Sequence, residues 1–209
     1  MYRLISATPS PYARKVRIAL AEKRIPFELV TEVPWDNGTS TPRYNPLEKL
    51  PVLIPESDEP VYESDFILQY LEIRHPEPRL VTDDVEEMLT ARRLEVLCDG
   101  VCDAVVLTFF ERRRTHPSPE WMARQRRKIE GGLREIARLV GDGEWAVGER
   151  FGLGDIAAGT VTGYLNVRFP EFRWRDAYPN LAALSDRLEA RASFRESVPV
   201  PQTIRDAVV

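Results

Sequence analysis

The sequence predicts two parts of different class: an α/β domain built on a mixed sheet, then an all-α domain. Three observations carry this. Short β-branched runs alternate with helical periodicity through the first 75 residues, and strand signals vanish after Pro76 and Pro78. Beyond that point every apolar pattern has helical spacing, and 156–167 carries no charge at all.

The elements follow in order. Arg3-Leu4-Ile5-Ser6 reads as a strand and Thr8-Pro9-Ser10-Pro11 as a turn. Tyr12, Val16, Ala19 and Leu20 share one helix face. Phe27 to Thr31 is a second strand, between Pro26 and Pro34; residues 33–48, rich in Pro, Gly, Asn, Ser and Thr, form a loop with a short helix at most. Val52-Leu53-Ile54 is a third strand and Glu59-Pro60-Val61-Tyr62 a short fourth. Ser64 to Arg74 is a helix with Phe66, Ile67, Tyr70 and Leu71 inward, stopped before Pro76. The order βαβ-ββα defines a domain over 1–76, and 77–83 is a linker. The helical domain spans 84–209. Its helices are expected near Asp84 to Arg114, Trp121 to Val140, Asp155 to Val167 and Asn180 to Ala190. The uncharged third of these should lie at the centre, because a helix that is apolar all round is a buried one. Within it, Gly159 and Gly163 would let a neighbouring helix approach.

Composition narrows the chemistry. The 209 residues carry 29 Lys and Arg against 33 Asp and Glu, a net charge of −4, which argues against a nucleic-acid binder. Two Cys and two His supply neither a disulfide scaffold nor a thiolate-imidazole metal site, so no metal is expected. No apolar stretch approaches the roughly 20 residues of a membrane span, and the N-terminus has no signal-peptide character, so the expectation is a cytoplasmic protein with no membrane partner. What remains is chemistry by hydroxyls, carboxylates, backbone groups or a borrowed reagent.

Three short motifs could carry such chemistry. Ser10 before Pro11 reads, taken alone, as a helix N-cap followed by a favoured N1 proline. A hydroxyl there can also donate to an anion such as a thiolate, with the positive helix end behind it. Lys49-Leu50-Pro51 before the third strand is, alone, a loop-to-strand boundary. Glu63-Ser64 opens the next helix, with Ser64 the natural N-cap. The pair could equally hold an amino-acid head group, Ser64 and the helix N–H groups taking the carboxylate and Glu63 the ammonium.

Taken in order, these motifs resemble the glutathione S-transferase family. The supporting stretches are Ser10 to Leu20, Asn45 to Leu53 and Glu63 to Leu71, with Cys98 to Asp103 in the helical half, and the resemblance runs through the whole chain. It is nearest to bacterial members with a Ser-Pro site, close to the zeta and omega types. The resemblance implies a thioredoxin-like N-terminal domain, an all-helical C-terminal domain, a homodimer, and glutathione as co-substrate. By position, Ser10 would hydrogen-bond the glutathione sulfur. Leu50 would bind the cysteinyl backbone next to a cis Pro51, Glu63 and Ser64 would hold the γ-glutamyl group, and Lys49 the glycine carboxylate. Asp103 matches an acid that in some classes reaches the γ-glutamyl amine of the partner subunit.

The sequence departs from the family at two points. Ser10 stands where thiol-transfer members have Cys, which favours conjugation over mixed-disulfide chemistry. Gly152 stands where a Ser or Thr cap usually precedes Asp155, so half of a capping box is missing. Cys98 and Cys102 share a helix face and read as buried small residues, and the runs Arg112 to Arg114 and Arg124 to Lys128 read as solvated faces. One or two of Trp35, Phe109, Phe110, Tyr164 and Trp174 are expected to line the site of a hydrophobic electrophile. The activity implied is transfer of the glutathione thiolate to that small molecule. The alternatives are a non-catalytic interaction protein of the transcription or translation machinery, or a glutathione-dependent isomerase, dehalogenase or ether-cleaving enzyme.

Overall fold

The structure, a computed structural model, describes residues 1–57 and 59–208. They form two compact units. One comprises Met1–Leu80 together with Ser193–Ala207, and the other is built from Val81–Ala192.

In the first unit β1 (Tyr2–Ser6) lies between β2 (Phe27–Thr31), which runs parallel to it, and β3 (Val52–Ile54), which runs antiparallel. A parallel neighbour needs a crossover, and α1 (Pro11–Glu22) supplies it between β1 and β2. α2 (Ser64–Arg74) packs against α1. The expected fourth strand shrinks to one bridge, in which Leu53 and Val61 exchange both backbone hydrogen bonds at 2.9 and 2.8 Å. The reason is in the register. The next hydrogen-bonded pairs on either side would be Pro51 with Glu63 and Pro55 with Glu59, and proline has no N–H to give in either. The inward face of α2 also differs from expectation. Ser64, Ile67, Leu68 and Leu71 are buried, Tyr70 is half-buried, and Phe66 is exposed.

The tail Ser193–Ala207 joins this unit through bonds that span most of the chain. Arg14 on α1 is buried; its guanidinium lies 5.2 Å from the Phe194 ring centre and donates to Phe194 O at 3.2 Å. Arg17 donates to Glu196 O. Val200 N donates to Thr8 O, Thr8 Oγ1 returns a bond to Val200 O at 2.9 Å, and Gln202 reaches Glu32 O. Sequence periodicity gives no sign of these contacts.

In the second unit α3 (Val85–Glu111) packs on α4 (Pro119–Val140) and α5 (Leu153–Arg168), and α7 (Pro179–Glu189) packs on α5 and α4. The short helix α6 (Trp174–Ala177) packs on α7, and the last helix, α8 (Ala192–Arg195), begins the tail that belongs to the first unit. α5 is buried from Leu153 through Leu165. Its start is held by Asp155, whose carboxylate accepts from Gly152 N at 2.9 Å and Ala146 N at 2.8 Å. Gly152 has no side chain to return to the box, and its backbone carbonyl accepts Asp155 N–H at 3.1 Å instead. Burial pushes the Asp155 carboxyl up to about 6, against the pull of those backbone N–H groups. Helices approach closely at Gly132 of α4, where a β-carbon would stand 2.3 Å from Val101 Cγ2 of α3, and at Gly154 of α5, where it would stand 3.3 Å from Leu94 Cδ2 of α3. No described helix is long and apolar enough to cross a membrane.

Candidate functional site

The sheet register gathers the three motifs at one end of β1. Ile5 pairs with Val52, and continuing that register sets Ser6 opposite Pro51 and Ala7 opposite Leu50. Leu53 pairs with Val61, which brings the chain that leads into Glu63 back alongside β3. Ala7, Leu50 and Val52 share one apolar cluster, with Tyr44 and Tyr62 packed against it. Ser10 N closes a turn on Ala7 O at 3.1 Å, so Ser10 stands directly beyond this row.

Ser10 is the N-cap of α1. Its backbone is extended, Pro11 follows at N1, and Ala13 N–H donates to its Oγ at 3.2 Å. A hydroxyl has two lone pairs and one proton, so capping occupies one lone pair and leaves the O–H free to donate. The bland and the functional readings of Ser10 are therefore compatible in one geometry. The group is half-buried at a positive helix end.

The Leu50–Pro51 peptide is cis. Its approach is fixed by Asn45, wholly buried, which donates from Nδ2 to Lys49 O at 2.8 Å and accepts Leu47 N at 2.9 Å. Asn45 thus sets the loop that carries Leu50. The Asn-Pro turn at 45–46 was the available signal, and its role as a brace was not evident from sequence. The Lys49 side chain is exposed.

The α2 cap differs by one residue from the reading of Ser64 as N-cap. Glu63 holds that position, its carboxylate accepting Phe66 N–H at 3.2 Å, and Ser64 is the first helical residue. The bridge at Val61 sets where the extended chain ends, which leaves Glu63 at the half-in position with a carboxylate suited to the helix dipole. Ser64 is buried, and its Oγ has no hydrogen-bond partner among the described residues. A buried hydroxyl without a partner costs about 1–3 kcal/mol, an expense that a ligand group bonding it would remove.

Asp103 lies on an exposed position of α3, in the second unit. Cys98 and Cys102 are buried and unbridged on the same helix. Among the described residues no group of three or more His, Cys, Asp or Glu is placed to hold a metal ion.

Comparison with known proteins places this geometry. Residues 4–79 match the glutathione S-transferase N-terminal domain and residues 119–187 the C-terminal domain. A crystal structure of a glutathione S-transferase from Methylobacterium radiotolerans, in complex with glutathione sulfonate, is similar to this chain. The two superpose with a TM-score of 0.98 at 71% identity, over 100% of this chain and 99% of that one. A glutathione S-transferase from Methylobacillus flagellatus with glutathione bound superposes with a TM-score of 0.91 at 39% identity, over 96% of this chain and 100% of that one. The uncharacterized GST-like protein YibF of Escherichia coli is 33% identical over 94% of this chain and 98% of its own. With both domains matched and similarity along the whole length, the chain belongs to the glutathione S-transferase family.

Proposed function

We propose that the protein is a glutathione transferase that binds glutathione across the ends of α1, β3 and α2, and that Ser10 stabilises its thiolate. Ser64 Oγ and the first N–H groups of α2 take the γ-glutamyl carboxylate, and Glu63 takes the ammonium. The backbone of Leu50 takes the cysteinyl unit, and Lys49 the glycine carboxylate. The observation that carries this reading is the buried Ser64 hydroxyl at the N-terminus of α2, left without a partner among the described residues. The relatives bound to glutathione or its sulfonate support it.

The chemistry follows from charge. The glutathione thiol loses its proton to solvent, and the Ser10 O–H and the positive end of α1 favour the anion. The thiolate attacks an electrophilic carbon, a C–S bond forms, and the leaving group departs with the electron pair of the bond that breaks. A free thiol has a pKa of about 8.5, so each unit of lowering multiplies the reactive fraction near neutral pH about tenfold. The enzyme acts as a homodimer in this reading, with Asp103 reaching the partner's γ-glutamyl group. The exposure of Asp103 on α3 is compatible with that role. The test is glutathione affinity and conjugation to an aromatic halide, in the wild type and in Ser10→Ala and Ser64→Ala. Absence of glutathione binding overturns the assignment.

A further inference from the structure

Arginines near the ends of α3 and α5 separate into two kinds. Arg112 stacks 4.2 Å from the Phe169 ring centre and pairs with Glu171 at 2.9 Å, and Arg114 pairs with Glu111 at 3.2 Å. Elsewhere in the unit Arg175 stacks on Trp174 and has Asp186. Arg168 and Arg113 also stack, both on Phe109, at 3.9 and 5.1 Å from its centre. Neither has a carboxylate partner among the described residues. The Nε of Arg168 is buried and bonds to nothing in the described structure.

Two guanidinium groups on one ring, neither paired with a carboxylate among the described residues, repel each other, and an anion close to both would relieve that. Both arginines sit near helix C-termini, whose carbonyl ends complement a cation. Each such end is worth about half a charge at most, so positive charge remains in excess. The neighbouring Tyr164 is buried and its phenol is pushed up to about 12 by that burial, so it remains a neutral hydroxyl beside Arg168 and does not supply the missing anion. Phe109 and Phe110 stand edge to face at 5.1 Å and are half-buried, which leaves apolar ring surface next to the cations.

We propose that Phe109, Arg113 and Arg168 form a binding site for a planar aromatic molecule bearing a carboxylate. Its ring packs against the Phe109–Phe110 pair and its anionic group meets the two guanidiniums. The same chemistry belongs to an acceptor that reacts and to a ligand that is only held.

The test titrates the full-length protein, without glutathione, with a chloronitrobenzoate and the matching chloronitrobenzamide. The carboxylate is expected to bind at least tenfold tighter, with an advantage that shrinks as salt rises. Arg113→Met and Arg168→Met should each remove most of that advantage, while Arg126→Met, on an exposed pair with Glu130, should not. Equal binding of acid and amide, or acid affinity unchanged in both variants, overturns the proposal. Arg113 is exposed, so its variant reports even if Arg168→Met folds poorly. Glutathione-dependent turnover then separates the two sources. An Arg113→Met rise in KM for the acid alone marks an acceptor, and unchanged turnover with lost binding marks a held ligand. The titration needs no glutathione, so its failure is distinct from failure of the transferase reading.

Discussion

Replacing Ser10 by Ala removes two interactions that can be read apart. The first is the cap: Ala13 N–H loses its acceptor at 3.2 Å. Losing a Ser cap costs about 1 kcal/mol, and in a chain of this size that lowers Tm by roughly 2–4 °C. The second is the free O–H. A hydrogen bond to a charged group is worth about 1.5–3 kcal/mol, which amounts to about one to two pKa units on the glutathione thiol. Titrating the thiolate absorbance of bound glutathione should therefore show the thiol pKa raised by that amount. Conjugation should fall about ten- to a hundredfold near neutral pH and recover as the pH climbs past the new pKa. Ser10→Thr keeps both functions and should keep both properties. Ser10→Asp keeps the acceptor but puts a negative charge against the sulfur, so it should hold Tm and lose the thiolate. If Ser10→Ala lowers Tm while the thiol pKa and turnover stay at wild-type values, Ser10 is a cap and nothing more.

Three further outcomes follow from particular contacts. Ser64→Ala removes a buried hydroxyl that has no partner among the described residues, so the free protein should be as stable or slightly more stable by thermal melting, while KM for glutathione rises about tenfold. Asp155 has a folded pKa near 6 against 3.8 for the free group. The folded state thus keeps its proton to higher pH than the unfolded chain, and stability is lost as pH rises from about 4 to about 6. Asp155→Asn should lose an acceptor at every pH, yet flatten that decline, so the Tm gap between wild type and variant narrows across the window; a constant gap refutes the assignment. Arg14→Met should free the tail, read as faster amide exchange across 193–207 with exchange in α3 to α5 unchanged.

Much of the fold could be read in the sequence where the signal is local. The Ser10-Pro11 pair gave both the start of α1 and the hydroxyl at its end, because capping is decided within four residues. The uncharged stretch gave α5 as a buried helix for the same reason. At Glu63-Ser64 both side chains can cap, so local chemistry left the choice to the register with β3, and the cap moved by one residue. Phe66 was read inward from its spacing, but spacing alone does not say which face of a helix meets a neighbour. Arg113 reads from sequence as part of a solvated run, since sequence shows the charge without showing which carboxylates reach it or that Arg168 stacks on the same ring. Nothing local announced that the tail would lie on α1, because Arg14 and Phe194 stand 180 residues apart.

That tail makes the glutathione-binding unit discontinuous in the chain, and protein synthesis is directional. The segment through Leu80 leaves the ribosome with Arg14 uncovered and the Thr8 turn missing its partner at Val200. The unit is completed only when Ser193–Ala207 emerges, after the helical unit has been made. An excised N-terminal fragment would lack part of its own core.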